Sequence, residues 1–373
     1  MISSISIKGY RGFEHFEMRD LGRINLLVGT NNSGKTSILE VVSILESGGD
    51  LERLWNILWK RGERNIRTLP PLPDKNNPPT PRVLPEASLA HLFYGHEIHP
   101  GTRLSISAQN ESQQMLEFEI RELLAGEKVD PKTVDDPDDN PIPRLALQIT
   151  GNPPPVNPLV VLSRTGGIPT VQLRARRKRS NHPVQLISTE SSSADDVMAA
   201  WGRVSLQPEE KLVLQALQSI DSDIQGIALQ AVTPQPYWGP ATRGGFIVKL
   251  KSAAQPVPIG SMGDGIWRML ALSIAIALSK GGTLLVDEID TGLHYSVMSK
   301  MWNLIYYAAR QFNVQVFATT HSYDCVYSLA QICPDADPGN KITVQRIEAS
   351  KHESVPYDQE EISVAAAREI EVR

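Results

Sequence analysis

The chain has 373 residues, of which 41% are hydrophobic, so it is long enough to bury a large core and to divide into two lobes. Its formal net charge of −5 gives no global attraction to nucleic acid. Neither a signal peptide nor a membrane-spanning stretch is visible, which predicts a soluble cytoplasmic protein. The two cysteines, Cys325 and Cys333, have no metal-site companions and are expected to be reduced thiols.

The first motif is a glycine-rich loop that follows the apolar run Ile24–Val28. Residues 29–36 have the spacing Gly-x-x-x-x-Gly-Lys-Thr and lead into a helix-like segment. Unpaired N–H groups and the helix dipole at such a helix start both favour phosphate oxygens. The sequence therefore predicts a nucleoside triphosphate site, and its predicted ligand-binding residues are Gly29, Asn31, Asn32, Ser33, Gly34, Lys35, Thr36 and Ser37.

Individual residues of this loop have distinct predicted roles. Gly29 and Gly34 let the backbone close around the phosphates. Lys35 is suited to reach the β and γ oxygens, and the Thr36 hydroxyl is suited to ligate Mg²⁺. The alternative interpretation is a glycine turn that matches the spacing by chance.

The region after the loop is predicted to contain short strands and a pair of helices instead of a long coiled coil. Sustained heptads are absent from the sequence. A proline-rich stretch at 67–85 precedes β-patterned runs at Leu104–Ala108, Leu116–Arg121, Arg144–Ile149, Leu159–Leu162 and Thr170–Leu173. Ser191–Ser193 are suited to cap one helix and Pro208–Glu210 to begin another, which predicts a short helical hairpin over residues 190–220.

Two charged runs lie in the same region. The basic run Arg174–Arg179 allows two interpretations, a contact with nucleic-acid phosphates or a solvated turn. The acidic run Asp135–Asp139 lies in a proline-rich stretch and is interpreted as a loop.

A second motif lies far downstream, where the apolar run Thr283–Val286 is followed by two carboxylates. This pattern predicts a strand buried on both faces, with Asp287 and Glu288 at its carboxyl end, beside the phosphates. Asp287 is suited to hold Mg²⁺ through water, and Glu288 to polarise an attacking water as general base. The alternative is a buried strand that ends in a solvated acidic turn.

A third apolar run, Val314–Ala318, ends in polar residues that include His321. A histidine at this position is suited to hydrogen-bond a γ-phosphate and to report its presence. The alternative is a histidine on the surface or in the core without a role toward nucleotide.

The order of these three motifs resembles the ATPase heads of the ATP-binding-cassette superfamily, and more narrowly their RecF-like and OLD-like branch, also called AAA15 ATPases. The opening Met1–Phe13, which contains Arg11, looks like the first strand and turn of that branch. Ser261–Gly265 resembles its degenerate signature region, and Thr291–His294 occupies the place of the D-loop, with His294 where Asp is usual. The resemblance implies that Arg11 and Ser261 also contact nucleotide, Ser261 from a second subunit.

The resemblance implies an α/β fold, an ABC-type ATPase head in which a mixed β-sheet surrounds the P-loop helix. The short β-patterned runs and the helix caps described above add an antiparallel β-rich lobe and a short helical hairpin insertion. The resemblance implies a single head over residues 1–373, with an N-terminal part at 1–175, the helical insertion at about 190–220 and a C-terminal part at 225–373. The implied cofactors are ATP and Mg²⁺. The implied catalytic residues are Lys35, Glu288 and His321, and the implied metal ligands are Thr36 and Asp287.

The resemblance also implies an ATP-sandwiched homodimer or a larger homo-oligomer. We expect no Toprim nuclease domain in this chain, which is then similar to stand-alone AAA15 heads paired with a separately encoded Toprim-like effector, as in the phage-sensing PARIS system. The leading hypothesis is an ATP-hydrolysing sensor or scaffold that controls such an effector in anti-phage defence. The alternative is a RecF-like ATPase clamp in DNA repair, with DNA as partner, which salt-dependent duplex binding would distinguish.

Overall fold

The computed structural model of this chain describes residues 1–69, 82–110, 113–124, 127, 144–170, 173, 182–188, 193–230, 245–337 and 339–372. Both charged runs and most of the proline-rich stretch lie outside these residues. Within the described parts of the chain, no helix combines the length and the apolar character needed to cross a membrane. Cys325 and Cys333 are buried free thiols.

The strands, numbered in chain order, are β1 (Ser4–Tyr10), β2 (Phe13–Met18), β3 (Ile24–Val28), β4 (Arg64–Leu69), β5 (Arg82–Ser88), β6 (Arg103–Gln109), β7 (Gln114–Glu122), β8 (Leu145–Asn152), β9 (Leu159–Val161), β10 (Gly167–Pro169), β11 (Val184–Ile187), β12 (Ile224–Leu229), β13 (Phe246–Leu250), β14 (Val257–Pro258), β15 (Thr283–Val286), β16 (Gln315–Thr319), β17 (Ile342–Arg346) and β18 (Val355–Tyr357). The helices are α1 (Lys35–Glu46), α2 (Leu51–Lys60), α3 (Ala194–Val204), α4 (Glu210–Ile220), α5 (Asp264–Leu278), α6 (Tyr295–Gln311), α7 (Tyr323–Ala330) and α8 (Gln359–Ala367).

The chain divides into two compact units. The first, called the P-loop unit below, consists of residue 1 and residues 18–39 and 182–373, and the second, called the β-rich unit, consists of residues 2–17 and 40–181. The phosphate loop is thus in the same unit as the downstream acidic and histidine motifs, although the sequence analysis placed it in an N-terminal part.

The central sheet of the P-loop unit explains why three apolar runs in the sequence are so uniform. Its strand order is β11-β15-β16-β3-β17-β18, and all neighbours pair in parallel except β17 and β18. Every residue of β3, β15 and β16 is buried. Parallel strands covered on both faces are apolar throughout, and their carboxyl ends meet at one edge of the sheet. The ends of β15, β16 and β3 therefore share that edge.

Helix α5 forms the middle of the P-loop unit's hydrophobic core. Its residues Ile266–Ala277 are all buried, as expected for a helix that is apolar on nearly every side. Helices α3 and α4 lie in the predicted helical region, and Ser193 caps α3 by accepting from the Asp196 N–H. Both helices pack against α5, so they belong to this core and do not project as a separate arm.

The β-rich unit contains antiparallel sheets, as the sequence predicted. One has the order β2-β1-β6-β7-β8-β9, and the other the order β10-β5-β4. Four of the five β-patterned runs are strands in it. The fifth prediction, Thr170–Leu173, is wrong at Thr170 and at Leu173, because β10 ends at Pro169 and neither residue is in a strand, while residues 171–172 lie outside the described part. The observed strand begins at Gly167, which pairs with Ser88 of β5 in a space that suits glycine, because an added Cβ would lie 2.9 Å from Glu86 Oε2.

Candidate nucleotide-binding and hydrolysis site

The phosphate loop connects β3 to α1 and depends on its glycines. Gly29 has φ +144°, and a Cβ there would lie 2.2 Å from the Ile347 carbonyl oxygen. Gly34 has φ +96° and Asn32 has φ +63°, so the turn uses backbone conformations that most side chains disfavour. Asn31 and Asn32 are exposed, whereas Ser33 and Ser37 are buried. The predicted loop residues therefore form one continuous turn at the start of α1.

Lys35 lies near the end of the phosphate loop, and its side chain contacts the backbone of that loop. Its Nζ donates to the carbonyl oxygens of Gly29, at 2.9 Å, and Thr30, at 2.7 Å. Burial lowers the pKa of Lys35, while the charges of Asp287 and Glu288 act in the opposite direction. The ammonium group thus contacts the loop backbone and is influenced by the charges of the two acidic residues.

Asp287 is held by hydroxyl groups from two other segments. Thr36 Oγ1 donates to Asp287 Oδ1 at 3.1 Å and to Oδ2 at 3.2 Å. Thr319 Oγ1 donates to Asp287 Oδ1 at 2.7 Å. The structure therefore brings together Thr36 and Asp287, the two residues that the sequence analysis assigned to Mg²⁺.

This donor set suits a magnesium ion. Mg²⁺ prefers oxygen ligands, commonly one or two from protein and the rest from phosphates and water. A hydroxyl and a carboxylate that already hydrogen-bond to each other satisfy this preference. Thr36 and Asp287 are the residues that would hold the ion, and their assignment as ligands stays a prediction.

Glu288 follows Asp287 with a left-handed backbone conformation, φ +45°. Its Oε1 lies 3.7 Å from Nε2 of His321, and both side chains are partly exposed. The Thr291 hydroxyl donates to the other carboxylate oxygen of Glu288 at 3.1 Å. Glu288, the predicted general base, and His321, the predicted γ-phosphate sensor, are therefore neighbours, and solvent reaches both side chains.

Two residues of this site were missed by sequence reasoning. Arg268 on α5 is 7% exposed, and its Nη2 donates to the carbonyl oxygens of Asp287, at 3.2 Å, and Glu288, at 2.9 Å. Burial lowers the pKa of this guanidinium, against the opposing effect of the nearby carboxylates. The sequence does contain a signal for Arg268, because it is the one charged residue in the otherwise uncharged buried run 266–277. Thr319, the second missed residue, is a polar end to an apolar strand.

The signature-like segment and the D-loop position lie at the surface of the P-loop unit. Ser261 is exposed in a short 3₁₀ turn, Ile259–Met262, that precedes α5. His294, found where the resemblance places an Asp, caps α6 by accepting from the Ser296 N–H. Its side chain therefore stabilises a helix start, and the nucleotide role of Ser261 stays a prediction.

Arg11 lies in the β-rich unit and is 6% exposed. Its Nε donates to Glu40 at 2.8 Å, and its two terminal nitrogens donate to the carboxylate of Glu63. A buried guanidinium bound by two carboxylates has its charge compensated within the unit. The observed role of Arg11 is structural, and its contact with nucleotide stays a prediction.

Two stretches of the chain match known ATPase families. Residues 1–63 match the family described as "AAA ATPase domain", and residues 194–324 match the one described as "AAA domain, putative AbiEii toxin, Type IV TA system". The first stretch contains the phosphate loop, and the second contains Asp287, Glu288 and His321. Both stretches are therefore similar to AAA-type ATPase domains.

The chain is also similar to individual proteins and to a solved structure. A Helicobacter pylori protein described as "ATP/GTP phosphatase" is 23% identical over 360 residues, which cover 90% of each chain. An uncharacterized protein of Methanocaldococcus jannaschii is 35% identical over 77 residues, 18% of this chain and 35% of its own length. The structure described as "Crystal structure of the SmcHead bound to the C-winged helix domain of ScpA" aligns with TM-score 0.52 at 13% identity, covering 96% of this chain and 97% of the other. The predicted ABC-type head fold is confirmed, and the narrower OLD-like and PARIS-like assignments stay predictions.

Proposed function

We propose that this chain binds ATP with Mg²⁺ and hydrolyses it at the edge where β3, β15 and β16 end. The observation that carries the proposal is the hydrogen bond from Thr36 to Asp287, which joins the phosphate loop to the acidic motif. The two AAA-type matches and the ATP/GTP phosphatase name of the Helicobacter pylori relative support it.

The proposed chemistry assigns one task to each group. The loop N–H groups and the Lys35 ammonium bind the phosphates and neutralise their charge. Thr36 and Asp287 would hold Mg²⁺, which when bound would stabilise negative charge on the phosphoryl group. Glu288 accepts the proton of the attacking water, and His321, 3.7 Å from it, contacts the γ-phosphate.

The proposed active form is a homodimer in which each chain completes the site of the other. Support comes from the exposed position of Ser261 in the turn before α5, where a second copy can receive it. Symmetric dimers are the commonest assemblies of identical chains. Larger homo-oligomers can be built on this pair.

The proposed biological role is nucleotide-dependent control of a separately encoded effector in anti-phage defence. His321 precedes Ser322, whose side chain caps α7, so a contact between His321 and the γ-phosphate acts directly on the start of a helix. A ligand shifts only those states that it binds differently. The two nucleotide states thus present different positions of α7 to a partner.

The hydrolysis proposal is tested by measuring phosphate release from ATP by the purified chain with Mg²⁺ and with EDTA. We expect release with Mg²⁺ only. Release that is equal in EDTA, or no release in any assembly state, would contradict the proposed reaction.

The partner proposal is tested by co-purification from the source cells with ATP, with ADP and without nucleotide, using parent and Glu288→Gln chains. We expect a co-purifying protein whose yield depends on nucleotide, and no cleavage of DNA or RNA by the chain alone. Duplex DNA binding that falls steeply with salt, without such a protein, would favour a DNA clamp. Robust nuclease activity of the pure chain would overturn the role as a controller.

A further inference from the structure

Thr319 is the last residue of β16, the strand between β3, which leads into the phosphate loop, and β15, which is followed by Asp287. On one side β16 pairs with β15, and on the other side it pairs with β3, where Thr319 is opposite Leu27. Thr319 is 1% exposed. A hydroxyl buried at this edge of the sheet requires hydrogen-bond partners.

Both partners of the Thr319 hydroxyl belong to the catalytic segment. The hydroxyl donates to Asp287 Oδ1 at 2.7 Å and accepts from the backbone N–H of Glu288 at 2.8 Å. The directions are fixed, because an N–H group only donates and an ionised carboxylate only accepts. The carbonyl oxygen of Thr319 also accepts from the Ile289 N–H at 2.9 Å. One residue thus binds three successive residues of the neighbouring segment.

These bonds bear on the orientation of the proposed general base. Glu288 has φ +45°, a conformation that persists in residues other than glycine only where the surroundings fix it. The bond from its N–H to Thr319 holds the backbone at the point where the side chain branches. The same hydroxyl orients the carboxylate of Asp287, which also accepts a hydrogen bond from the Thr36 hydroxyl.

We infer that Thr319 is a positioning residue that sets both carboxylates in one arrangement, Asp287 toward the metal and Glu288 toward the attacking water. The inference rests on the proposed ATP hydrolysis. Thr319 acts through these two residues and needs no contact with the nucleotide itself.

The test compares Thr319→Val, which keeps the shape but removes the hydroxyl, with Thr319→Ser, which keeps the hydroxyl. The matched control is Thr320→Val. Thr320 is equally buried, but its hydroxyl bonds to Asp290 and to the Ser322 N–H. Thermal unfolding and binding of a fluorescent ATP analogue show that each variant is folded.

We expect Thr319→Val to lower kcat by about tenfold or more, because a small misplacement of catalytic groups has large effects, while KM for ATP changes by less than about twofold. Thr319→Ser should stay within about threefold of the parent kcat, as should Thr320→Val. In a Glu288→Gln background, Thr319→Val should lower kcat less, because the part of its effect that acts through Glu288 is already lost.

A second measurement does not depend on activity. Mg²⁺ is titrated into each chain with a non-hydrolysable ATP analogue bound, and we expect a higher Mg²⁺ dissociation constant for Thr319→Val than for the parent or Thr320→Val. Parent-like kcat and Mg²⁺ affinity in Thr319→Val would overturn the inference, as would equal losses in Thr320→Val. A parent chain that does not hydrolyse ATP would contradict the proposed function instead, and the Mg²⁺ titration would still decide the role of Thr319.

Discussion

The hydroxyl of Thr36 donates to both carboxylate oxygens of Asp287 at 3.1 and 3.2 Å, although the two residues are 251 positions apart in sequence. The strands that precede them in the chain, β3 and β15, are not neighbours, because β16 lies between them. The contact therefore spans the end of the intervening strand. It places a hydroxyl and a carboxylate of the kind that Mg²⁺ prefers at the start of the phosphate-loop helix.

Replacing Glu288 by Gln should preserve ATP binding and slow hydrolysis by about a hundredfold or more, because removing a general base typically costs 10²–10⁴ in rate. The amide keeps the size of the side chain but cannot accept the proton from water. Single-turnover phosphate release and equilibrium binding of ATP measure the two effects separately. Hydrolysis at the parent rate would show that another group is the base.

Replacing Lys35 by Ala should abolish ATP binding itself, whereas the change at Glu288 should slow only the hydrolysis of bound ATP. The Lys35 ammonium donates to the loop carbonyls of Gly29 and Thr30, and its loss removes a charge-assisted contact to the phosphates. Isothermal titration with ATP is the measurement. Lys280→Ala, a change at an exposed lysine paired with Glu209, serves as control and should bind ATP normally. Undiminished affinity of the Lys35→Ala chain would contradict the phosphate-loop assignment.

As the pH is raised, the affinity for ATP should begin to fall at a lower pH than it would if Lys35 had the usual pKa of a lysine. Burial lowers the pKa of Lys35 below 10.5, and its protonated form is the one that binds phosphate. Binding is therefore complete below the lowered pKa, and it weakens as the pH rises through that value. In this window ATP binding should take up protons, because phosphate favours the charged lysine. Titration calorimetry from about pH 7 to about pH 10 in two buffers measures both effects. An affinity that stays constant up to about pH 10 would contradict the prediction.

ATP should bring two chains together when hydrolysis is blocked. Light scattering of the Glu288→Gln chain should give the mass of a dimer or a larger oligomer with ATP, because one chain supplies only part of a cassette-type site. Ser261→Arg places a bulky charge at the exposed turn before α5 and should slow hydrolysis while leaving ATP binding by a single chain intact. A strictly monomeric ATP-bound chain would exclude this assembly.

Replacing Arg268 by Leu should destabilise the P-loop unit and slow hydrolysis. The leucine fills the apolar surroundings but leaves the carbonyl oxygens of Asp287 and Glu288 without their charged donor. We expect the free energy of unfolding to fall by about 2–4 kcal/mol, measured by urea denaturation. Arg310→Leu, at an exposed ion pair with Asp337, should change it by less than about 1 kcal/mol. Equal effects of the two substitutions would show that the Arg268 contacts add little.

The sequence alone determined the local parts of this site. The turn at 29–36 between a strand and a helix forms as predicted, because its requirement is local, namely positive φ at Gly29 and Gly34. Its binding of phosphate stays a prediction. The strands that carry Asp287 and His321 were predicted because burial on both faces requires uniformly apolar runs. The carboxyl ends of parallel strands lie at one edge of a sheet, and this rule predicts that the three motifs lie close together at that edge.

Only the tertiary structure decided which partners the polar side chains take. Thr319 binds Asp287 and Glu288 because β16 lies beside β15, and strand order is not encoded in any one segment. Arg268, on α5, donates to the backbone of the same segment. Arg11 is bound by Glu40 and Glu63 of its own unit. A hydrogen bond acts over about 3 Å, so its partner depends on which distant segments are packed together. A linear pattern identifies the polar residue, and the fold selects its partner.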